Sequence, residues 1–177
     1  EAEARAAAVF NSGMAAISTV FLTFCAPGST FVYTTPLYGG TQHLIHQLLE
    51  PLWMRGIPVA AGDTAGLRAT VAVARSLRLV FVETPANPTL RMTDLAAAVG
   101  SARAHPDRPI VAVDNTFLGP AFQRPLALGA DLAVYSATKY LAGFSDMLGG
   151  VVLGVDPELV AQLRGTRAIL GNILQPD

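Results

Sequence analysis

The chain has 177 residues, 51% of them apolar and 14% charged, with a formal net charge of -1. That composition excludes a disordered tail, whose scarce apolar surface could not offset chain entropy, and the length suits one packed domain. The 12 Lys and Arg are matched by 13 Asp and Glu without a basic run, so a nucleic-acid backbone finds no complementary face. Cys25 is the single cysteine and cannot close an internal disulfide, and no apolar stretch approaches the ~20 residues that span a bilayer. The expectation is a cytoplasmic protein with neither a nucleic-acid nor a membrane partner.

In chain order, residues 1–10 are Ala-rich and read as helix. No initiator methionine precedes them, which predicts a piece of a longer chain. Helix follows at 14–24, strand at 31–35, helix at 42–54 with Pro51 kinking or shortening it, and strand at 57–61. Next come helix at 67–75, strand at 77–83, helix at 94–104 capped by Thr93, and strands at 110–114, 132–136 and 151–153. Helix at 157–170 ends the series. Short continuous Val/Ile runs separated by helical segments predict an α/β fold, a mostly parallel open sheet flanked by helices. Leu44, Ile45, Leu48, Leu49, Trp53 and Met54 are spaced as one buried face. His43 and His46 lack a Cys or carboxylate to complete a metal set and read as a solvated face, His105 reads as exposed loop, and Glu1, Glu3 and Arg5 as a solvated helix start. No metal is expected.

Ligands of open α/β sheets bind beyond the carboxyl ends of the strands. Here Leu79-Val80-Phe81-Val82 runs into Glu83-Thr84-Pro85-Ala86-Asn87-Pro88, Ile110-Val111-Ala112-Val113 into Asp114-Asn115-Thr116, and Leu132-Ala133-Val134-Tyr135 into Ser136-Ala137-Thr138-Lys139. Carboxylates, an amide, hydroxyls and an amine therefore meet on one sheet edge. The set suits an aldehyde cofactor with a phosphate and a pyridine ring, because lysine forms a Schiff base, hydroxyls hold phosphate and a buried aspartate pairs with a pyridinium nitrogen. Taken singly, each strand end reads first as a capped turn with solvated polar residues. Ser12-Gly13-Met14 opens a helix whose N-H groups and dipole favour an anion, and Tyr38, before Gly39-Gly40, offers a ring that can stack on a flat cofactor.

In that order, Ser12-Gly13-Met14-Ala15-Ala16-Ile17, Tyr38-Gly39-Gly40-Thr41, Glu83-Thr84-Pro85-Ala86-Asn87-Pro88, Val113-Asp114-Asn115-Thr116-Phe117 and Ser136-Ala137-Thr138-Lys139-Tyr140 resemble the motifs of the Cys/Met-metabolism enzymes dependent on pyridoxal 5'-phosphate (PLP). These include cystathionine gamma-synthase, cystathionine gamma-lyase, methionine gamma-lyase and O-acetylhomoserine sulfhydrylase. The resemblance implies that residues 1–177 form the large PLP-binding domain of a fold-type I, aspartate aminotransferase-like enzyme, without its N-terminal arm and C-terminal domain. It implies elimination or replacement at the γ or β carbon of a sulfur amino acid or O-acyl-homoserine, in a homodimer or homotetramer. By position, Lys139 resembles the Schiff-base lysine, Asp114 the partner of the pyridine nitrogen and Tyr38 the stacking ring. Gly13, Met14, Ser136 and Thr138 match phosphate contacts and Asn87 the amide near the phenolic oxygen, while Thr116 and Glu83 match supporting positions.

The chain departs from the pattern at Phe144, where Gly-His-Ser-Asp of the family becomes Gly143-Phe144-Ser145-Asp146. Gly40 stands where methionine gamma-lyases carry a reactive cysteine, and Cys25 lies elsewhere as apolar filler. The resemblance also puts the substrate-carboxylate arginine, and the tyrosine and arginine that reach a neighbouring subunit's phosphate, outside these residues. Alone they are therefore expected to be a poor enzyme, with Arg124, Arg164 and Arg167 in surface ion pairs or at helix ends. The rival reading is a non-catalytic α/β scaffold or regulatory module, although neither Gly-x-Gly-x-x-Gly after a strand nor Gly-x-x-x-x-Gly-Lys-Ser/Thr occurs.

Overall fold

A computed structural model describes residues 1–175. In chain order its elements are β1 (Ala6–Phe10), α1 (Gly13–Phe24), β2 (Thr30–Thr35), α2 (Gly39–Leu44), β3 (Arg55–Ala60), α3 (Thr64–Val73) and β4 (Leu77–Glu83). After these come α4 (Leu95–Ala104), β5 (Ile110–Asp114), α5 (Gly119–Phe122), β6 (Leu132–Ser136), β7 (Gly150–Gly154) and α6 (Pro157–Leu170). The strands make one seven-stranded sheet in the order β1-β7-β6-β5-β4-β2-β3. The pairs from β6 through β3 are parallel, whereas β7 runs antiparallel to both β6 and β1.

Alternate residues of the central strands feed two cores. Phe31, Tyr33, Leu79 and Phe81 pack with Ala16, Ile17, Val20 and Phe21 of α1 and Val160 and Leu163 of α6. Val80, Val82, Val111 and Val113 face the other way, onto Leu67 and Val71 of α3 and Leu95, Ala98 and Ala102 of α4. Because both faces are covered, the strands read as unbroken apolar runs rather than alternating ones. The expected α/β class with a mostly parallel sheet is thus found.

Several local expectations are corrected. The Ala-rich start is not helix: Ala6–Phe10 is an edge strand paired with β7. Small side chains let it lie against the sheet, and pairing outweighs a helix propensity worth under ~1 kcal/mol per residue. Its carbonyls are covered by α6, where Arg164 donates to Ala7 O at 2.7 Å and Arg167 to Val9 O at 2.7 Å, so these two arginines satisfy an edge rather than form ion pairs. Arg124 does form the expected surface pair, at 3.7 Å from Glu3. Glu1 is not simply solvated, since its carboxylate accepts the Tyr135 hydroxyl and, at 3.0 Å, Leu126 N-H.

The helix expected at 42–54 stops short: α2 passes into a π-helical turn, Ile45–Leu49, before Pro51, which has no N-H to continue it. Trp53, at φ +63°, consequently points outward at 82% exposure and Leu48 is also exposed, while Ile45, Leu49 and Met54 stay buried. Asp94, not Thr93, caps α4 by accepting Ala97 N-H at 3.0 Å; Thr93 instead joins Thr84 and Gly62. His105 is buried, not exposed, and carries Nε2 3.0 Å from Ala74 O while Nδ1 accepts Asp107 N-H at 3.1 Å. That arrangement makes it a structural imidazole held by backbone on both ring nitrogens. His43 and His46 are exposed as expected, with His46 2.9 Å from Glu50, and Cys25 is buried, its thiol pushed up to about 12 chiefly by burial.

Candidate active site

Parallel register sets Glu83 beside Asp114 at the ends of β4 and β5, with β6 ending next to them. A cavity of about 810 Å³ opens over these ends and the start of α1. From α1 come Gly13 and Met14, from the turn after β2 Tyr38, from β4 and its turn Glu83 and Asn87, and from β5 Asp114 and Thr116. Ser136, Thr138 and Lys139 enter from β6 and the segment beyond it. All nine site residues named from the sequence, and Glu83 with them, therefore line a single cavity.

Asp114 is 7% exposed, and its two oxygens differ. Oδ1 accepts Thr116 N-H at 3.0 Å and the Thr116 hydroxyl at 2.6 Å, while Thr116 Oγ1 accepts Ser136 N-H at 2.8 Å. Oδ2 accepts nothing among the described residues, and Asp114 lines the cavity. Burial first, opposed by the Thr116 bonds, raises the Asp114 pKa. Glu83 is pushed up to about 7, by burial and then by the Asp114 charge, against the N-H bonds from Tyr38 and Asn87. Two carboxylates buried side by side disfavour each other's charge; a cation against Asp114 Oδ2 would reverse that for Asp114.

At the other wall Ser12 caps α1 by accepting Ala15 N-H at 3.0 Å, leaving the N-H groups of Gly13 and Met14 without acceptors among the described residues. A Cβ on Gly13 would lie 2.7 Å from Ser136 Cβ and 2.8 Å from its Oγ, so only glycine lets the helix start approach the end of β6. Thr138 Oγ1 accepts Gly149 N-H at 3.0 Å and donates to Gly149 O at 3.2 Å, closing the segment that carries Lys139. Within that segment Gly143 and Ser145 adopt positive φ, and Lys139 is exposed.

The family model for the Cys/Met metabolism PLP-dependent enzymes matches residues 2–177. The chain belongs to this family. Its relatives include cystathionine gamma-synthase of Escherichia coli, 45% identical over 92% of this chain and 42% of the relative. L-methionine gamma-lyase of Pseudomonas deceptionensis is 39% identical over 97% and 42%. The crystal structure of cystathionine gamma synthase from Xanthomonas oryzae pv. oryzae in complex with cystathionine superposes with a TM-score of 0.91 at 38% identity, covering 98% of this chain and 44% of that one. The chain thus spans less than half the length of the relatives it matches.

The cofactor of the family, PLP, fits what the cavity offers. A buried carboxylate with one free oxygen suits a protonated ring nitrogen, and two unclaimed N-H groups at a helix start beside two hydroxyls suit a phosphate. Among the described residues no arginine lines the cavity and no cluster of potential metal ligands occurs. No described helix is long and apolar enough to cross a membrane.

Sequence reasoning missed the support behind Asp114. The Asn115 amide, fully buried, donates to Gly119 O at 3.1 Å, Gln123 O at 2.7 Å and the Tyr135 hydroxyl at 3.1 Å, while Gln123 Nε2 donates to Thr84 O at 3.1 Å and Asn115 Oδ1 at 2.8 Å. Three strand ends are tied together through it. Burial and the adjacent Glu1 hold the Tyr135 hydroxyl well above its ordinary pKa. Only the position of Asn115 directly after a strand-ending aspartate hinted at this. Also missed were Met147 and Leu148, which line the cavity from the far end of the Lys139 segment.

Proposed function

We propose that this chain supplies the cofactor-binding wall of a PLP-dependent enzyme that eliminates or replaces a substituent at the γ, or β, carbon of a sulfur amino acid or O-acyl-homoserine. The observation that carries the proposal is one cavity holding Lys139, the sole lysine of the 177 residues, together with a buried Asp114 that keeps one oxygen free. When bound, PLP withdraws electrons from the substrate's α carbon and so makes its protons removable.

The chain's own groups divide the remaining work. Asp114 Oδ2 would accept the N-H of a protonated pyridine nitrogen, while Thr116 holds Oδ1. Gly13 and Met14 N-H, with Ser136 and Thr138 hydroxyls, hold the phosphate. Tyr38 covers the ring and Asn87 donates to its phenolic oxygen. Lys139 Nζ, the one side-chain amine of the cavity, would hold the cofactor's aldehyde carbon and, once free, would take up and return protons at the substrate carbons. The substrate carboxylate requires a cation from outside this cavity wall, because no arginine lines it. Tyr140, Phe144 and Leu148, 69%, 86% and 67% exposed around the cavity mouth, support a homodimer or homotetramer in which they are covered. A single buried thiol supports a cytoplasmic setting.

The test uses the full-length protein loaded with PLP and supplied with O-acetylhomoserine, cystathionine or methionine. Release of α-keto acid, or sulfur-dependent replacement, from at least one is expected. Inactivity on all three and on cystathionine's β-cleavage would overturn the proposal.

A further inference from the structure

Resting on the cofactor reading above, we propose that Glu83 is a positioning residue: its carboxylate straps the Tyr38 turn to the Asn87 turn and fixes the ring-facing and amide-facing walls of the cavity at one spacing. Glu83 ends β4, is 4% exposed, and has its own N-H held by Thr34 Oγ1 of β2 at 3.0 Å. One oxygen, Oε2, accepts Tyr38 N-H at 3.0 Å; the other, Oε1, accepts Asn87 N-H at 2.7 Å. Neither N-H has a second acceptor among the described residues. A single side chain therefore joins the loop after β2 to the loop after β4.

The strap matters because it is the bond that ties Tyr38, the residue that opens α2, to the end of β4. Its ring is 49% exposed and rests beside Gly40, where an added Cβ would come 2.7 Å from Tyr38 Cε1 and 2.9 Å from Met14 Sδ. The Tyr38 backbone is held on both sides, its carbonyl accepting Gln42 N-H of α2 at 3.1 Å and its N-H donating to Glu83, and only the Glu83 bond ties it to the loop after β4.

Both bonds need the anion. A carboxylate presents an acceptor to each N-H, whereas a protonated carboxyl or a glutamine turns one of its two ends into a donor facing a donor. The titratable groups around Glu83 are Asp114 from β5 and Tyr38 from the turn after β2, with Lys139, Tyr140 and Asp146 across the cavity. Burial and Asp114 bring the Glu83 carboxyl up to about 7. The strap consequently closes as pH rises through that value and half-opens below it.

Amide hydrogen exchange of the cofactor-free full-length protein, corrected for intrinsic rates, reads the strap directly. At pH 8 the Tyr38 and Asn87 amides of the wild type are expected to exchange at least about tenfold more slowly than in Glu83→Gln, a loss of one net hydrogen bond. The gap is expected to narrow at pH 6. Glu83→Asp, shorter by one ~1.5 Å bond, keeps the charge and is expected to leave at least one of the two amides unprotected. The wild-type comparison between pH 8 and pH 6 needs no variant, so a folding defect in either does not spoil the test. With PLP added, Glu83→Gln is expected to keep its borohydride-reducible label on Lys139 while binding the cofactor about tenfold more weakly and with altered visible circular dichroism. Protection of Tyr38 and Asn87 that is equal in wild type and both variants, or unchanged between pH 8 and pH 6, would overturn the strap. Absence of label on wild-type Lys139 would overturn the cofactor reading instead.

Discussion

The two sides of the cavity are built differently. On the Asp114 side the carboxylate is held through one oxygen by Thr116, itself tied to Ser136 N-H, and Asn115 and Gln123 brace the strand ends behind it. On the Lys139 side the segment from Thr138 to Gly149 is closed at its base by the Thr138 hydroxyl and N-H on Gly149 and carries exposed Tyr140, Phe144 and Leu148. The contrast teaches where precision is needed before a ligand arrives. In the proposed roles, a carboxylate that meets one ring nitrogen is aimed in advance, whereas an amine that exchanges partners sits on a long side-chain stem.

The sharpest way to break the contrast is at Lys139. Lys139→Ala should abolish turnover of the full-length enzyme by at least about a thousandfold, since no other lysine of this chain can replace a nucleophile and proton carrier. Steady-state kinetics with O-acetylhomoserine or cystathionine checks this, and residual activity within tenfold of wild type would remove Lys139 from the role.

The rigid side has a pH signature in stability. Because the folded-state pKa of Glu83 is raised to about 7 from 4.5, its contribution is fully present below about 4.5 and is lost as pH rises through 7. Relative to Glu83→Gln, the wild type should lose up to about 3 kcal/mol between pH 5 and pH 8. Urea midpoints of both proteins at the two pH values decide it; a pH-independent difference contradicts a buried, raised carboxyl. The same group is thus strapped more firmly at the pH where the fold is less stable, a tension that suits a site selected for geometry.

Asp114→Asn tests the aim of the rigid side. It keeps shape but loses a charge-assisted bond worth about 1.5 to 3 kcal/mol, so turnover should drop roughly ten- to a hundredfold while the cofactor still binds. Unaltered kcat would take Asp114 out of the site chemistry. Smallest of all, Phe144→Ser on the exposed segment should change the stability of this chain by no more than about 0.5 kcal/mol, as an 86% exposed side chain has little packing to lose. A larger loss in the monomer would mean the segment is packed rather than open.

The rigid side was the legible one. Continuous apolar runs ending in Glu83, Asp114 and Ser136 announced both the parallel sheet and its functional edge, because strands buried on two faces leave polar residues only where they stop. The start of the chain was not legible: five residues rich in alanine carry helix propensity, and only the tertiary offer of β7 makes them a strand. The outward turn of Trp53 depends on a π-helical turn that no periodicity signals. His105 looked like a loop histidine because its partners, Ala74 O and Asp107 N-H, come from backbone. The Asn115, Gln123 and Tyr135 network joins residues up to 39 positions apart, through Gln123 and Thr84, without a local pattern.

The central claim, that Lys139 faces Asp114 across a PLP site, is tested most directly by borohydride reduction of the PLP-loaded full-length protein followed by peptide mapping, with denatured protein as control. The account predicts a pyridoxyl label on Lys139 in the folded protein and none there after denaturation. Label equal in folded and denatured protein, or label on another lysine or the N-terminal amine alone, would contradict it.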